Sequence, residues 1–180
     1  GVFNSNMDYV RTYVKLVEEL SSKRFGSLTM ALTLNQTFGD APLTFQNVAP
    51  GTAANFGIVT SQAMETIFPS EFYAQRQAMF LVRYDFPAIR TKFKSFSPQF
   101  ALHHGIAYGD MKDRSAHVLN AKYDLQSMDK GVYEAGLIAH GIIKVSALKI
   151  GIGGFYRYGN YSNTTWYKNI VPKLALKFSL

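Results

Sequence analysis

The sequence Ile-Val-Pro-Lys-Leu-Ala-Leu-Lys-Phe-Ser-Leu at 170–180 gives the clearest structural signal in the chain. Its apolar residues occupy alternate positions, and the positions between them are mostly small or basic. Because successive side chains of a β-strand point to opposite faces, this alternation predicts a strand with one apolar and one polar face. Pro172 lies near the start of this strand, where the missing amide donor of proline is tolerated.

The same period of two continues upstream and predicts six further strands of similar length. In most of them, one alternate set is apolar or aromatic and the other is smaller or polar. The first segment also fits an amphipathic helix, but a strand agrees with the pattern of every other segment. The seven predicted strands cover about residues 8–20, 27–38, 77–86, 98–109, 132–145, 147–158 and 170–180.

The composition excludes several protein classes. The 180 residues suit one domain, and 47% apolar with only 17% charged residues excludes a disordered chain. The absence of cysteine excludes a disulfide scaffold and a cysteine-based zinc site. A membrane helix in the most apolar stretch, 136–156, would bury His140, Lys144 and Lys149 at high cost. Residues 1–6 are polar and resemble no signal peptide, so we expect a mature chain or a fragment.

Connection lengths and aromatic positions favour an antiparallel transmembrane β-barrel. Short connections alternate with longer ones, of which 39–75 is the longest, and outer-membrane barrels combine short periplasmic turns with longer extracellular loops. This scheme places the C-terminus in the periplasm. The alternative is a soluble β-sandwich or lipocalin-like barrel, in which the aromatic rings would form the core. The aromatic residues expected at the two ends of the strands are Tyr108, Tyr133, Tyr156 and Tyr158, and Tyr84, Phe86, Phe100 and Phe178.

The number of predicted strands raises the question of closure. The first and last of seven antiparallel strands run in the same direction, so they cannot pair antiparallel with each other. An open strand edge in lipid would leave backbone amides without hydrogen-bond partners, which is costly. Two solutions remain open: an additional strand at 56–61, or a chain that forms only part of a larger barrel.

Several stretches together resemble a known family. They are FGDAPL at 38–43, FPSEFYAQRQAMFLVRYDF at 68–86, SFSPQF at 95–100, MDKGVYEAGL at 128–137, GIGGFYRYGNY at 151–161 and VPKLALKFSL at 171–180. The chain is similar to the C-terminal barrel of a Bacteroidota outer-membrane family of unassigned function, whose long members carry an N-terminal carboxypeptidase-regulatory-like domain. The resemblance implies a Gram-negative outer membrane. It also implies that about seven of sixteen strands are present and that the missing N-terminal strands belong to the same protein or a partner chain.

A more distant resemblance concerns BamA-type assembly barrels, which have 16 strands. In those barrels a long loop, tipped with an arginine motif, enters the lumen five strands before the end. The loop 39–75 has the matching place and length, although the Arg-Gly-aromatic triplet is absent. The resemblance therefore implies that Arg76 contacts the lumen, with the inward-facing Glu134 as its expected partner. The loop motif consists of Glu71, Phe72 and Gln75.

Two further groups of residues point to the barrel wall and its assembly. The basic residues predicted to line the lumen on the last two strands are Lys149, Arg157, Lys173 and Lys177. They would either favour anionic solutes or be completed by acidic residues on missing strands, and the second interpretation is preferred. Phe178 and Leu180 resemble the C-terminal signal that barrel assembly machinery reads during biogenesis.

The sequence contains no signal for catalysis, cofactor binding or nucleic-acid binding. His103 and His104 are adjacent on a strand and so point to opposite faces, which prevents them from chelating one ion. No Gly-x-Ser-x-Gly motif occurs, and the net charge of +7 is spread over strands and turns. We therefore expect a non-enzymatic outer-membrane barrel with a structural, envelope-assembly or transport role, in contact with outer-membrane lipid and lipopolysaccharide. The alternatives are a small eight-stranded barrel acting as an adhesin or lipid-binding module, and an enzyme that uses the long loops around His117.

Overall fold

The computed structural model describes residues 8–54, 57–60, 62–93, 95–111 and 126–178. These residues form an all-β fold, and their only helical elements are two short 3-10 turns, Leu43–Phe45 and Trp166–Asn169. The strands are β1 (Tyr9–Ser22), β2 (Gly26–Gly39), β3 (Asn47–Val48), β4 (Tyr73–Ala74), β5 (Arg76–Asp85), β6 (Gln99–Asp110), β7 (Met128–Val145), β8 (Leu148–Tyr158) and β9 (Ile170–Phe178).

Seven of these strands form one antiparallel sheet in the order β1-β2-β5-β6-β7-β8-β9. The predicted all-β class and the seven antiparallel strands are thus confirmed. Six strands lie within two residues of their predicted bounds, whereas β7 begins four residues earlier, at Met128. The short pair of β3 and β4 was not predicted, because two-residue strands carry no periodic signal.

The sheet is open. Within the described residues, β1 pairs only with β2 and β9 pairs only with β8, so the sheet is not closed into a barrel. Since neighbouring strands alternate in direction, β1 and β9 run the same way. The strand ends that are joined by the connections 40–75, 111–127 and 159–169 lie at one end of the sheet, which we call the long-loop end. The connections 23–25, 86–98 and 146–147 lie at the opposite, short-turn end.

The two faces of the sheet differ sharply. We call outer face the one that carries the exposed apolar side chains, among them Leu34, Phe80, Leu102, Leu137 and Ile152, which are 39–62% exposed. The opposite, inner face carries Gln77, His103, Glu134 and Lys173, all of which are buried. Both faces follow the period of two that the sequence shows, since the pleat sends alternate side chains to opposite sides.

Aromatic side chains form a row at each end of the outer face. At the long-loop end, the ring of Tyr133 lies 5.9 Å from that of Tyr108 and 5.6 Å from that of Tyr158, measured between centroids. At the short-turn end, the rings of Tyr84 and Phe86 meet edge to face at 4.8 Å. His104 faces outward, and its Nε2 lies 2.6 Å from the Tyr158 hydroxyl, which explains how a polar ring is accommodated there.

Candidate functional site between the inner loop and the sheet

We call the connection between β2 and β5, residues 40–75, the inner loop. Its described residues, 40–54, 57–60 and 62–75, fold back over the inner face of the sheet. Three of its side chains, Met64, Ile67 and Phe72, are fully buried. They join a cluster with sheet residues that include Met79 and Val132. Burial of this apolar surface stabilises the attachment of the inner loop to the sheet through the hydrophobic effect, which has no preferred direction.

Glu134 on β7 binds the backbone of the inner loop. Its Oε1 accepts a hydrogen bond from the amide of Glu65 (2.9 Å), and its Oε2 accepts one from the amide of Thr66 (2.8 Å). The Thr66 hydroxyl donates a further bond of 2.8 Å, and His103 Nε2 lies 2.8 Å from Oε1. The carboxylate is completely buried, and these partners replace the water that it loses.

A buried ion pair joins the inner loop to the edge strand β9. Glu65 of the loop pairs with the ammonium of Lys173, and both side chains are fully buried. Lys173 also donates to the carbonyl and the hydroxyl of Thr52, at 2.7 and 2.6 Å. Glu65 accepts further bonds from the Thr52 hydroxyl (2.8 Å) and the Thr60 amide (2.5 Å). Such a pair is tolerated in the interior because its other hydrogen-bonding positions are also filled.

Arg157 on β8 provides a third attachment. Its guanidinium pairs with both carboxylate oxygens of Glu71 and donates to the carbonyl of Thr66. The guanidinium carbon lies 5.9 Å from the centroid of the Phe72 ring, a cation–π distance. Three neighbouring strands, β7, β8 and β9, therefore each bind the loop through one charged side chain.

The inner loop also occupies part of the free edge of β9. The Leu174 amide donates to the carbonyl of Gly57 (2.8 Å), and the Val59 amide donates to the carbonyl of Leu174 (2.9 Å). Of the two alternatives left open, the additional strand at 56–61 is not found in its described residues, 57–60, which form one isolated parallel bridge, Ile58 to Leu174, and no strand. A single bridge fits the irregular backbone there, because a ladder needs several residues in extended register.

Glycines on the inner face make room for the loop. A Cβ atom on Gly105 would lie 2.6 Å from the Met64 sulfur, and one on Gly153 would lie 3.0 Å from both the Val59 side chain and the Phe155 ring. On the outer face, a Cβ on the adjacent Gly154 would meet nothing within 4 Å. The contrast shows that the inner surface is fitted closely to the loop.

The predicted contact between Arg76 and Glu134 is wrong. Arg76 is the first residue of β5 and lies on the outer face, where its Nε bonds to Oδ1 of Asp110 at 2.9 Å. Its side chain is 57% exposed. The strand begins at Arg76 itself, so the pleat places it on the same side as Phe80. Arg157 fills the expected role instead, since it binds Glu71 in the inner loop.

The other residues of the predicted loop motif lie as follows. Glu71 pairs with Arg157, and Phe72 is buried beneath the Tyr161 ring, with the two centroids 5.1 Å apart. Gln75 acts through its backbone, because its amide donates to the carbonyl of Asp110 (2.7 Å) and its carbonyl accepts from Thr37 (2.8 Å). The motif therefore contributes to the site through three different kinds of contact.

The predicted basic wall is present on the inner face, but it is largely neutralised. Arg157 pairs with Glu71, and Lys173 pairs with Glu65. Lys177 lies 3.4 Å from Asp85, which Arg83 also binds at 2.8 Å. Lys149 forms no ion pair within the described part of the chain. The acidic partners come from the inner loop and from β5, whereas the sequence analysis expected them on missing strands.

The remaining predicted residues lie outside this site. Phe178 is 73% exposed at the short-turn end of the outer face. Leu180 and His117 lie outside the described residues, so the C-terminal signal and the enzyme hypothesis receive no structural account. In the described ranges no group of three or more His, Cys, Asp or Glu side chains could hold a metal ion.

Glu65 and Thr66 were not predicted as site residues, although together they bind the charged side chains of β7, β8 and β9. The local signal was a carboxylate inside a short apolar stretch, Ala-Met-Glu-Thr-Ile at 63–67. Such a residue is buried only with a partner, but the partner, Lys173, is 108 residues away.

Comparisons with known proteins found no match: no family model, no curated protein and no solved structure is similar to this chain. Neither 3-10 turn, nor any other helix in the described residues, is long and apolar enough to span a membrane.

Proposed function

We propose that this chain forms part of the wall of a transmembrane β-barrel in a bacterial outer membrane, with the inner loop inside the lumen. The role is structural, in envelope assembly or in transport, and no residue performs covalent chemistry. The long-loop end faces the cell exterior, and the short-turn end faces the periplasm. Outer-membrane lipid, including lipopolysaccharide, covers the outer face. The barrel assembly machinery acts on the C-terminal strand during biogenesis.

The observation that carries this proposal is the inverted polarity of the sheet. In a soluble β-sandwich, the apolar face is covered and the polar face meets water. Here the covered face holds buried charges such as Glu134 and Lys173, whereas side chains such as Leu137 and Ile152 are more than half exposed. Between the aromatic rows, the described outer face includes one charged side chain, Glu18. A lipid environment is the solvent that suits such a face.

The dimensions of the outer face support the same proposal. Phe100 and Tyr108 mark the two aromatic rows on β6 and lie eight residues apart. This separation corresponds to about 26 Å along the strand and to about 20 Å across a membrane at the usual tilt, close to the apolar band of about 25 Å in such barrels. The exposed ion pair of Arg76 and Asp110 lies just beyond Tyr108, where headgroups and water begin.

The inner loop argues for a large barrel. An eight-stranded barrel has an interior just wide enough for its own side chains. The inner face of this sheet instead carries the inner loop, whose side chains Met64, Ile67 and Phe72 are fully buried. Because β1 and β9 run in the same direction, all-antiparallel closure requires an odd number of further strands. The small adhesin or lipid-binding barrel would have one such strand and no room for the loop.

The position of the inner loop favours a gated or assembly-related role over an open pore. Charged side chains from three strands hold the loop across the inner face, where it would narrow the lumen. The structural, assembly or transport role proposed above makes use of a loop that these contacts hold in place.

The test is the orientation of the two ends of the sheet in cells. The chain has no cysteine, so single-cysteine variants can be labelled without background from it. Trp166→Cys at the long-loop end and Phe25→Cys at the short-turn end are a matched pair, since the native side chains are 66% and 65% exposed. A membrane-impermeant maleimide should label Trp166→Cys on intact cells and Phe25→Cys only after the outer membrane is opened. Equal labelling on intact cells, or the reverse order, would contradict the proposal.

A further inference from the structure

A cavity of about 580 Å³ lies at the long-loop end, where the inner loop meets the connection between β8 and β9. Glu71 of the loop, Arg157 of β8 and Lys168 of the connection all line it. The volume falls in the range of about 300–1,000 Å³ that is typical of sites for small molecules. The contacts that attach the inner loop to the sheet do not explain why a cavity of this size is present.

The walls of the cavity are held by their own hydrogen bonds. The Asn169 side chain is buried and clamps the backbone of Asn163, donating to its carbonyl at 2.8 Å and accepting from its amide at 2.5 Å. On the opposite wall, the Phe68 amide donates to Glu71 at 2.8 Å. The cavity is thus preformed, and a ligand would not have to order its walls on binding.

The charges that line the cavity do not cancel. Arg157 and Lys168 are positive, and Glu71 is the one carboxylate among the described lining residues. The guanidinium of Arg157 is already engaged by Glu71 and by the carbonyl of Thr66. The ammonium of Lys168 has no hydrogen-bond or ionic partner within the described residues. One positive charge, on the exposed side chain of Lys168 at the cavity lining, is therefore not balanced within the described residues.

We propose that this cavity binds a small solute that carries an anionic group, a carboxylate or a phosphate. The anionic group lies against Lys168, where it balances the excess charge of the lining. The paired side chains of Glu71 and Arg157 form a polar wall, and Phe68 and Val171 provide apolar surface for the rest of the solute. The site lies at the end that would face the cell exterior, so it would meet solutes before they pass further into the lumen.

The first test is binding of inorganic phosphate to the full-length protein purified in detergent, measured by titration calorimetry. Lys168→Glu reverses the free charge without changing any of the loop attachments. We expect this variant to bind phosphate about tenfold more weakly, because one reversed charge acts at short range on the anion. Lys23→Glu at the short-turn end is the matched control, since it makes the same change far from the cavity, and its affinity should equal that of the wild type.

A steric variant separates the cavity from a general charge effect. Ala54→Phe fills space at the cavity wall and leaves every charge in place, so it should also weaken phosphate binding. Absence of binding by the wild type, or equal affinity in all the variants, would overturn the proposal. These measurements do not involve lipid, so a negative result would leave the barrel proposal intact, and a failed orientation test would leave this site intact.

Discussion

The outer and inner faces belong to the same strands, yet neighbouring residues on them lie in opposite environments. Leu137 is 53% exposed on the outer face, and the next residue, Ile138, is completely buried on the inner face. Charged side chains concentrate on the covered side, where Glu65, Glu134 and Lys173 are all buried. The comparison teaches that the part of the inner face that the inner loop covers is built like the interior of a protein, with its buried charges paired, whereas the outer face lacks a covering layer of protein.

The largest expected effect follows from breaking the buried ion pair on the inner face. Glu65→Gln leaves the ammonium of Lys173 buried without its counter-charge, so we expect unfolding to become easier by about 3 kcal/mol. Denaturant unfolding of the protein in lipid vesicles measures this change. The double variant Glu65→Leu with Lys173→Met removes both charges and should recover part of the loss. A double variant as unstable as the single one would show that the broken ion pair is not the cause of the lost stability.

A charge on the outer face should have the next largest effect. Ile152→Arg places a guanidinium where we propose that lipid lies, and the expected loss of stability is about 2 kcal/mol or more near the membrane centre. Thr29→Arg on the inner face is the control, because Thr29 lines a polar space and should tolerate the charge. Equal losses in the two variants, measured by unfolding from vesicles, would contradict the difference between the faces.

Two adjacent glycines on β8 give a smaller and sharper comparison. Gly153→Ala pushes a methyl group toward Val59 and Phe155, so we expect a loss of about 1 kcal/mol from overpacking. Gly154→Ala adds the same atom on the outer face, where it meets nothing, and should leave stability unchanged. Thermal unfolding of both variants in detergent measures the two changes in stability. Equal behaviour would mean that the inner loop is not fitted to the sheet as described.

The smallest effect is expected at Arg76, whose exposed ion pair with Asp110 lies on the outer face. Arg76→Ala should leave the inner loop as resistant to protease as in the wild type, because the side chain of Arg76 bonds to Asp110 on β6 and not to the inner loop. Arg157→Ala removes the bonds to Glu71 and Thr66 and should make the loop more sensitive. Limited proteolysis followed by mass spectrometry measures both. A loop that is cleaved faster in Arg76→Ala than in Arg157→Ala would reverse this assignment.

The sheet could be predicted from the sequence because the signal is local. A period of two fixes which side chains share a face, and short stretches such as 170–180 contain the whole pattern. The inner loop could not be predicted in this way, since its contacts join distant residues such as Glu65 and Lys173. Arg76 was misplaced because its role came from a resemblance in loop position. Its place on β5 fixed the face on which it lies.

The early start of β7 has a similar explanation. Its register shifts against both neighbours, between Ala107 and Gly109 on β6 and again between Ala139 and Ile143. Gly141 adopts a positive φ of 68° at the second shift. Such bulges interrupt the alternation of side chains, so the simple period no longer marks the strand end. The positions of the bulges depend on how the strands pair with their neighbours.

The most direct test of the central claim compares two adjacent residues on β1 that face opposite sides. Val14 lies on the outer face and Tyr13 on the inner face, and their native side chains are 48% and 58% exposed. Each is replaced by cysteine, labelled with a fluorophore and reconstituted in vesicles that contain lipids with nitroxide groups on their acyl chains. The account predicts strong quenching at Val14→Cys and little at Tyr13→Cys. Equal quenching at both positions, or stronger quenching at Tyr13→Cys, would contradict the claim that the outer face meets lipid.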